Sequence, residues 1–417
     1  MDPYAMTTGV LRNPDFLRFL SSHVANELGA NISRVALPLV AVLVLHAGPA
    51  EVGLLSSLQT AAFLLIGLPT GVWVDRMRKR RVMMVSDLVK VVLLGSIPVA
   101  ATFGVLTIEL MFVVALLAGV SQVFNDVADQ TYLPHLVSTP QLSDGNAKLE
   151  VVRSGAFLAG PGVGGVLVQM LGAPRTIVVT AIGALASVFL LLAIKVPDKP
   201  PADTEHGPLL RGIREGLSYV WRNRLLRAFV ASSGINNLCV SGVLGLSVLF
   251  LAETVRLSPG AVGVLLMSGG IGGVLGGLTG GWLSRRLGSA RATWLAILIG
   301  APSGLLLPMT QADWRVVCFA ITSMVISWAA TMSNVGQTTY RQTVTPPHLL
   351  GRVNASVRFV TWGAMPLGAL FGGLVAQQLG VREALWLLMI GRMAAFVPLL
   401  FSPLPHVRDY TDLQATA

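Results

Sequence analysis

Gly71-Val72-Trp73-Val74-Asp75-Arg76-Met77-Arg78-Lys79-Arg80-Arg81 is a short basic stretch with one carboxylate in its midst, set between two long apolar runs, 52–74 and 82–103. A hydrocarbon core about 30 Å thick needs about 20 apolar residues per helical crossing, so the stretch reads as the loop between two membrane spans. Moving outward in both directions, the same pattern recurs. Apolar runs fall at 16–45, 52–74, 82–103, 106–130, 149–171, 176–196, 228–252, 260–283, 293–310, 316–340, 357–379 and 384–401, which predicts twelve helical spans.

Composition agrees. The 417 residues are 53% hydrophobic and 12% charged, with a mean hydropathy of +0.70, whereas soluble domains carry about a quarter charged residues. The 44 Gly and 23 Pro suit membrane helices, where small residues permit close packing and proline is tolerated. The net charge of +10 does not indicate nucleic acid, because the basic residues gather in loops beside span ends. If both termini are cytoplasmic, twenty-one of the 30 Lys and Arg lie on that side; only Arg175, Arg256, Arg315 and Arg382 lie outside, and Arg34, Lys90, Arg153, Arg358 and Arg392 fall within spans. The positive-inside rule therefore predicts a multi-pass protein of the bacterial-type inner (plasma) membrane with both ends in the cytoplasm. The first run is too long for a signal-peptide core and lacks a cleavage site, so it is expected to remain as a helix. Cys239 and Cys318 sit in spans without a pairing pattern, and no disulfide is expected.

The one long connection, rich in Pro and charged residues, divides the spans six and six. The expected units are 1–195, a cytoplasmic central loop at 196–227, and 228–417. A shift of about 210 positions superposes the halves: Leu11-Arg12-Asn13 with Phe19 meets Trp221-Arg222-Asn223 with Phe229, Asn26 meets Asn236, and Thr131-Tyr132 meets Thr339-Tyr340. The clearest stretch pairs Gly160, Gly164-Gly165, Gln169 and Gly172 with Gly368, Gly372-Gly373, Gln377 and Gly380. Parallel six-helix repeats with a substrate site between them at mid-membrane are the arrangement of the major facilitator fold, an all-α membrane architecture of two pseudo-symmetric bundles.

The opening stretch resembles the signature between the second and third spans of major facilitator transporters. The resemblance implies that Gly71 permits close helix approach, that Asp75 holds the start of the eleventh span, and that Arg76 and Arg80 bridge to acids on the fourth, closing a cytoplasmic gate. Positive-inside anchoring accounts for the arginines alone, but not for Asp75. Arg78 stands where the family has Gly, and the second-half copy, Gly280-Gly281-Trp282-Leu283-Ser284-Arg285-Arg286, has Ser284 in place of the acid. In the fifth span Gly160-Pro161-Gly162-Val163-Gly164-Gly165 matches the Gly-Pro-x-x-Gly-Gly signature of antiporters in the superfamily, with Ala156 replacing a glycine four positions earlier. Tight packing against the glycine-rich eighth span is the plainer alternative.

Ionisable side chains inside spans are costly, and each needs a reason. Glu27 and Arg34 share a face of the first span, and the resemblance to drug exporters makes Glu27 a proton-coupling candidate, together with Arg34 and Asp126; partnership with a basic residue is the structural alternative for Glu27. Asp126 and Asp129 are expected to bridge to Arg76 or Arg153, with proton relay as the alternative. The fourth span carries no basic residue of the kind many proton-coupled exporters have. Glu150, Arg153 and Arg358 suit salt bridges between halves, and Asp87 with Lys90 suits a local pair. Cavity candidates are Asn26, Asn31, Asn236, Asn237, Ser241, Ser327, Trp328, Thr331 and Asn334, all of which also serve as interhelical hydrogen-bonding groups.

No constellation for catalysis is present: five histidines, including His206, fall in loops or tails, His23 stands alone in its span, and no phosphate-binding loop occurs. No enzyme activity, cofactor or metal is expected. Leu11-Arg12-Asn13-Pro14-Asp15-Phe16, Arg34-Val35-Ala36-Leu37-Pro38 and Gly67-Leu68-Pro69-x-Gly71 extend the likeness to the branch of the superfamily that includes the enterobactin exporter and macrolide efflux proteins. That resemblance implies a monomeric secondary exporter, of the multidrug-resistance kind, that exchanges a small amphipathic molecule for protons across the bilayer. The alternatives are a proton-independent facilitator or importer, and a membrane sensor that does not transport.

Overall fold

The computed structural model describes residues 10–138, 141–197 and 209–410. Among these there are helices and connecting turns and no strand. The first half comprises α1 (Pro14–Leu43), α2 (Pro49–Asp75), α3 (Lys79–Thr102), α4 (Ile108–Leu136), α5 (Leu142–Leu171) and α6 (Ala173–Leu192). A shorter α7 (Leu209–Arg222) precedes α8 (Arg224–Leu249), α9 (Pro259–Leu287), α10 (Ser289–Ser303), α11 (Val316–Val344), α12 (Pro347–Leu379) and α13 (Val381–Met393). A 3-10 turn carries α10 on to Met309, and another joins α13 to the single turn α14 (Val397–Leu400). Among the described residues, eleven helices are long and apolar enough to cross a membrane. The twelfth, α1, has 30 residues and packs on α5 and α6, but Asp15, Arg18, Glu27 and Arg34 lower its hydropathy.

The internal repeat is structural. Asn13 and Asn223 each cap a helix: Asn13 Oδ1 accepts from the amides of Asp15 and Phe16 at 3.0 and 3.2 Å, and Asn223 Oδ1 from those of Leu225 and Leu226 at 3.1 and 3.0 Å. One turn further in, Phe19 meets Tyr132 edge-on at 5.5 Å and Phe229 meets Tyr340 edge-on at 6.0 Å. Gly172 and Gly380 take φ of +84° and +102° to turn the chain directly into the next helix, a conformation that favours glycine.

Within the first half α1 packs on α5 and α6, α2 on α4, and α3 on α4 and α6; within the second, α8 packs on α12 and α13, and α11 on α9 and α10. The halves meet chiefly through α2 with α12 and α5 with α9, with smaller contacts of α8 with α1 and α2. A Cβ added to Gly53 would lie 2.5 Å from the Gly373 Cα, and one added to Gly165 would lie 2.7 Å from the Gly263 Cα. Only glycine permits those backbones to approach so closely. Gln169 accepts from the Gly260 amide at 3.0 Å, and its repeat mate Gln377 lies against Gly48. The best-kept stretch of the repeat is thus the seam between halves, at the end of the molecule away from the basic loops.

The expected central loop at 196–227 contains α7, and its residues 198–208, with His206, lie outside the described residues. The helix rests on the second half through Gly216 and Val220, with Tyr219 donating to the Val344 carbonyl at 2.6 Å and Glu215 pairing with Arg352, while Leu217 and Trp221 stay exposed.

Candidate functional site

A cleft of about 1960 Å³ lies between the halves. Toward the end bearing the basic loops it is lined by Gln130, Ala147, Glu150, Gly351 and Asn354; at the other end it stops beneath the glycine seam. Helices α1, α4 and α5 contribute Asn26, Glu27, Asn31, Arg34, Gln122, Asp126 and Arg153, and helices α11 and α12 contribute Ser327, Thr331, Asn334, Arg358 and Trp362. The lining is mixed. Phe63 of α2 meets Trp362 at 4.8 Å, and the Arg358 guanidinium stands 5.7 Å over the same indole.

Charge concentrates on the first-half wall. Glu27 Oε1 stands 3.7 Å from Arg153 Nε, and Arg153 also reaches Glu150 at 3.3 Å. Asp126 faces the cleft and accepts from Gln122 at 2.6 Å. Arg34 donates to Asn31 at 3.3 Å. Behind this wall is a buried polar knot: Asp87 Oδ1 accepts from Asn125 at 2.8 Å, Lys90 at 3.2 Å and Asn26 at 3.3 Å, while Asp87 Oδ2 accepts from Ser187 at 2.6 Å. The local Asp87–Lys90 pair read from spacing is therefore one edge of a network spanning α1, α3, α4 and α6.

An all-helical pair of six-helix units, joined through glycine seams around a polar central cleft, is the geometry of one group of transporters, and sequence comparison agrees. The chain matches the Major Facilitator Superfamily over residues 19–365 and, in an overlapping second match, 239–416. The chain belongs to this superfamily. This facilitator is 30% identical over 412 residues to a multidrug efflux pump, Tap, of Mycolicibacterium fortuitum, covering 94% of this chain and 98% of that one. It is also 22% identical over 351 residues to macrolide efflux protein A of Streptococcus pyogenes (83% and 85% covered) and 29% identical over 295 residues to the enterobactin exporter EntS of Escherichia coli (68% and 67% covered). Among solved structures, a bacterial homologue of the iron transporter ferroportin in its inward-facing state superposes with a TM-score of 0.76 at 15% identity, covering 94% and 99% of the two chains. The fold is that of the superfamily, and the facilitator is a transporter rather than an enzyme.

Several expected site residues lie elsewhere than in the cleft wall. Asn236 accepts from Arg392 Nε at 2.9 Å, Asn237 donates to the Thr361 carbonyl at 2.9 Å, and Trp328 Nε1 donates to Thr279 at 2.9 Å. Among gate residues, Asp75 lies 3.9 Å from Lys79, whose ammonium donates to the Val74 and Asp75 carbonyls at 2.8 and 2.9 Å and so caps α2. Arg76 is exposed, and Arg80 donates to the Ile194 carbonyl at 2.6 Å, tying α3 to the end of α6. A Cβ at Gly71 would meet nothing within 4 Å. Asp129 faces His23 at 3.2 Å, not Arg76 or Arg153. The fifth-span signature has two contacts: Gly160 and Gly164 lie against Asn31 and Ile32 of α1, and Gly162 and Gly165 against Met267 and Gly263 of α9. Pro161 lies between them and its carbonyl faces Gly263.

Sequence reading missed His23, whose partner is 106 positions away, and the Phe63–Trp362 pair, which crosses the halves. The polar residues Asn26, Asp87 and Asn125 in otherwise apolar runs were the available signal for the buried knot.

Proposed function

We propose that this facilitator is a secondary exporter that moves a small amphipathic molecule outward in exchange for protons by alternating access. The observation that carries the reading is the pair of carboxylates, Glu27 and Asp126, on the wall of a cleft that reaches one end of the bundle. Membrane carboxylates that meet water from one side at a time are suited to proton exchange. Efflux functions in the names of three relatives, and the Gly160–Gly165 signature on the seam, support the outward direction. Phe63, Phe157, Phe359 and Trp362 set among Asn, Ser and Thr suit a cargo with both apolar and polar faces.

In this mechanism the basic loops face the cytoplasm, and the cleft takes cargo from there. Proton loss from Glu27 strengthens its attraction to Arg153 as cargo binds. The halves then rock about the glycine seams, Asp75 and Arg76 close against the second half, and cargo leaves as a proton returns to Glu27. Units 1–195 and 228–417 move as the two rocking bodies, each monomer working alone.

Everted membrane vesicles containing the chain, acidified inside, should accumulate ethidium or a radiolabelled macrolide, and nigericin should discharge it. Accumulation indifferent to nigericin would remove proton exchange. Vesicles indistinguishable from those without the chain, for both compounds, would remove export of such cargo.

A further inference from the structure

A second ionisable pair lies one helical turn from the cleft acids. His23 Nδ1 and Asp129 Oδ1 are 3.2 Å apart, and both residues are buried, at 5% and 7% exposure. Neither lines the cleft, whereas Glu27 and Asp126 do. His23 precedes Glu27 by four positions on α1, and Asp129 follows Asp126 by three on α4, so each helix carries its two members on one face. The result is two rungs between α1 and α4, a wet one in the cleft and a dry one nearer the basic-loop end.

The dry rung is poorly explained as scaffolding. His23 Nε2 is buried without any hydrogen-bonding partner, although an imidazole held for structure has two nitrogens to satisfy. The groups around it are unbalanced. Helix α1 presents Glu27, α4 presents Asp126 and Asp129, α3 presents Asp87 and Lys90, α5 presents Arg153 with Glu150 at the cleft mouth, and α6 presents only the hydroxyl of Ser187. Leaving aside Glu150 in the mouth and Arg34, which lies eleven residues further along α1 against Asn31, four carboxylates face two permanent cations. A net charge of that size is disfavoured inside a membrane protein, and two protons bring the cluster to neutrality.

We propose that His23 and Asp129 form a second proton-binding site, so that the first half holds two exchangeable protons, one on this rung and one shared by Glu27 and Asp126. The proposal rests on the proton-exchange reading above. With Nδ1–H donated to the Asp129 carboxylate, the added proton bonds to Nε2, and on release it returns to water on the side the cleft then faces.

The test uses the full chain in lipid nanodiscs with 15N-labelled histidine, the His23 signal being identified by its loss in His23→Gln. In the wild type the imidazole should gain and lose a proton reversibly between about pH 5 and 9, and Asp129→Asn should displace its midpoint by about one unit or more, because the charge facing it is gone. Glu27→Gln should displace it less, and serves if Asp129→Asn does not fold. An imidazole that stays neutral throughout, or a midpoint unmoved by both variants, overturns the proposal. Wild-type vesicles that lack pH-driven flux while His23 still titrates would instead strike the exchange reading and leave the proton site standing.

Discussion

The two halves share a backbone plan and differ in charge. Within spans, the first half carries Glu27, Asp87, Asp126, Asp129 and Glu150 along with Arg34, Lys90 and Arg153; the second carries only Arg358 and Arg392, its acids Glu253 and Glu383 lying at helix ends. The difference is sharpest at one repeated position. Asn26 accepts from Lys90 Nζ and Asn236 from Arg392 Nε, both at 2.9 Å. Beside Lys90 stands Asp87; beside Arg392 stand neutral acceptors, the Gly300 carbonyl at 2.6 Å among them. Each copy sets a buried cation against this asparagine, but from helices that are not equivalent in the repeat, α3 in the first half and α13 in the second, and the mid-span carboxylates belong to the first half. On the proposed exchange mechanism, the first bundle would bind the protons and the second would present a fixed surface to cargo.

The largest expected effect tests that division. Glu27→Gln should abolish pH-driven counterflow while leaving cargo binding measurable by equilibrium dialysis, whereas Arg358→Gln, on the opposite wall, should keep the pH dependence and change which compounds are carried. Full pH-driven activity in Glu27→Gln removes that residue from the mechanism. Loss of pH dependence in Arg358→Gln would erase the distinction between the halves.

Next in size is the contrast between the two buried cations. Lys90→Met leaves the fully buried Asp87 without a counter-ion, and breaking such a pair costs about 3–5 kcal/mol. Arg392→Met removes a charge that has no opposite partner, at a cost of about 1–3 kcal/mol for the acceptors left behind, offset by relief of burying the guanidinium. Thermal unfolding in detergent should show a far larger drop for Lys90→Met. Equal drops would mean that the asparagine contacts, and not the carboxylate, dominate.

A smaller effect should be the same in both halves. Gly165→Leu and Gly373→Leu overpack the two seams at equivalent positions, and overpacking costs about 1–3 kcal/mol. That favours a seam that parts by about five-fold to a hundred-fold, at about 1.4 kcal/mol per decade. A cysteine placed at Ser327 should become more reactive to an impermeant maleimide added from the end away from the basic loops, in both variants. A response in only one would show that the seams open separately.

Much of this was readable beforehand, for physical reasons. Twelve runs, a six-and-six division and a repeated Asn cap are local patterns, and glycines at matched positions of α5 and α12 signal close approach wherever their partners lie. The α7 helix escaped because arginines interrupt its apolar residues and its stability comes from resting on α12. Trp328 and Asn237 looked like cleft residues because polarity within a span has two explanations, water and another helix, and only the rotation of each helix decides between them. His23 and Asp129 seemed unrelated because pairing between α1 and α4 depends on how the bundle closes.

The smallest effect concerns how each half ties its ends. Asp15 accepts from the amides of Lys195 and Val196, both at 3.1 Å, and from Arg18, joining the start of α1 to the end of α6. In the second half Asp409 accepts from the Ser289 amide at 2.8 Å, joining the tail to the start of α10. Both acids lie at the basic-loop end, outside the spans. Burial alone would raise the Asp15 pKa, but the two amides and the guanidinium outweigh it and hold the carboxyl below its ordinary 3.8. With the folded value depressed, the stabilisation is complete above about pH 4 to 5 and is lost as pH falls through the folded pKa. Asp15→Asn should therefore lower the unfolding temperature slightly at neutral pH, by the equivalent of about 1 kcal/mol, and the gap from wild type should narrow as pH falls below 3.8 and close once the folded pKa is passed. A gap that stays constant through that range would mean the carboxylate charge is not what fastens the end of α6.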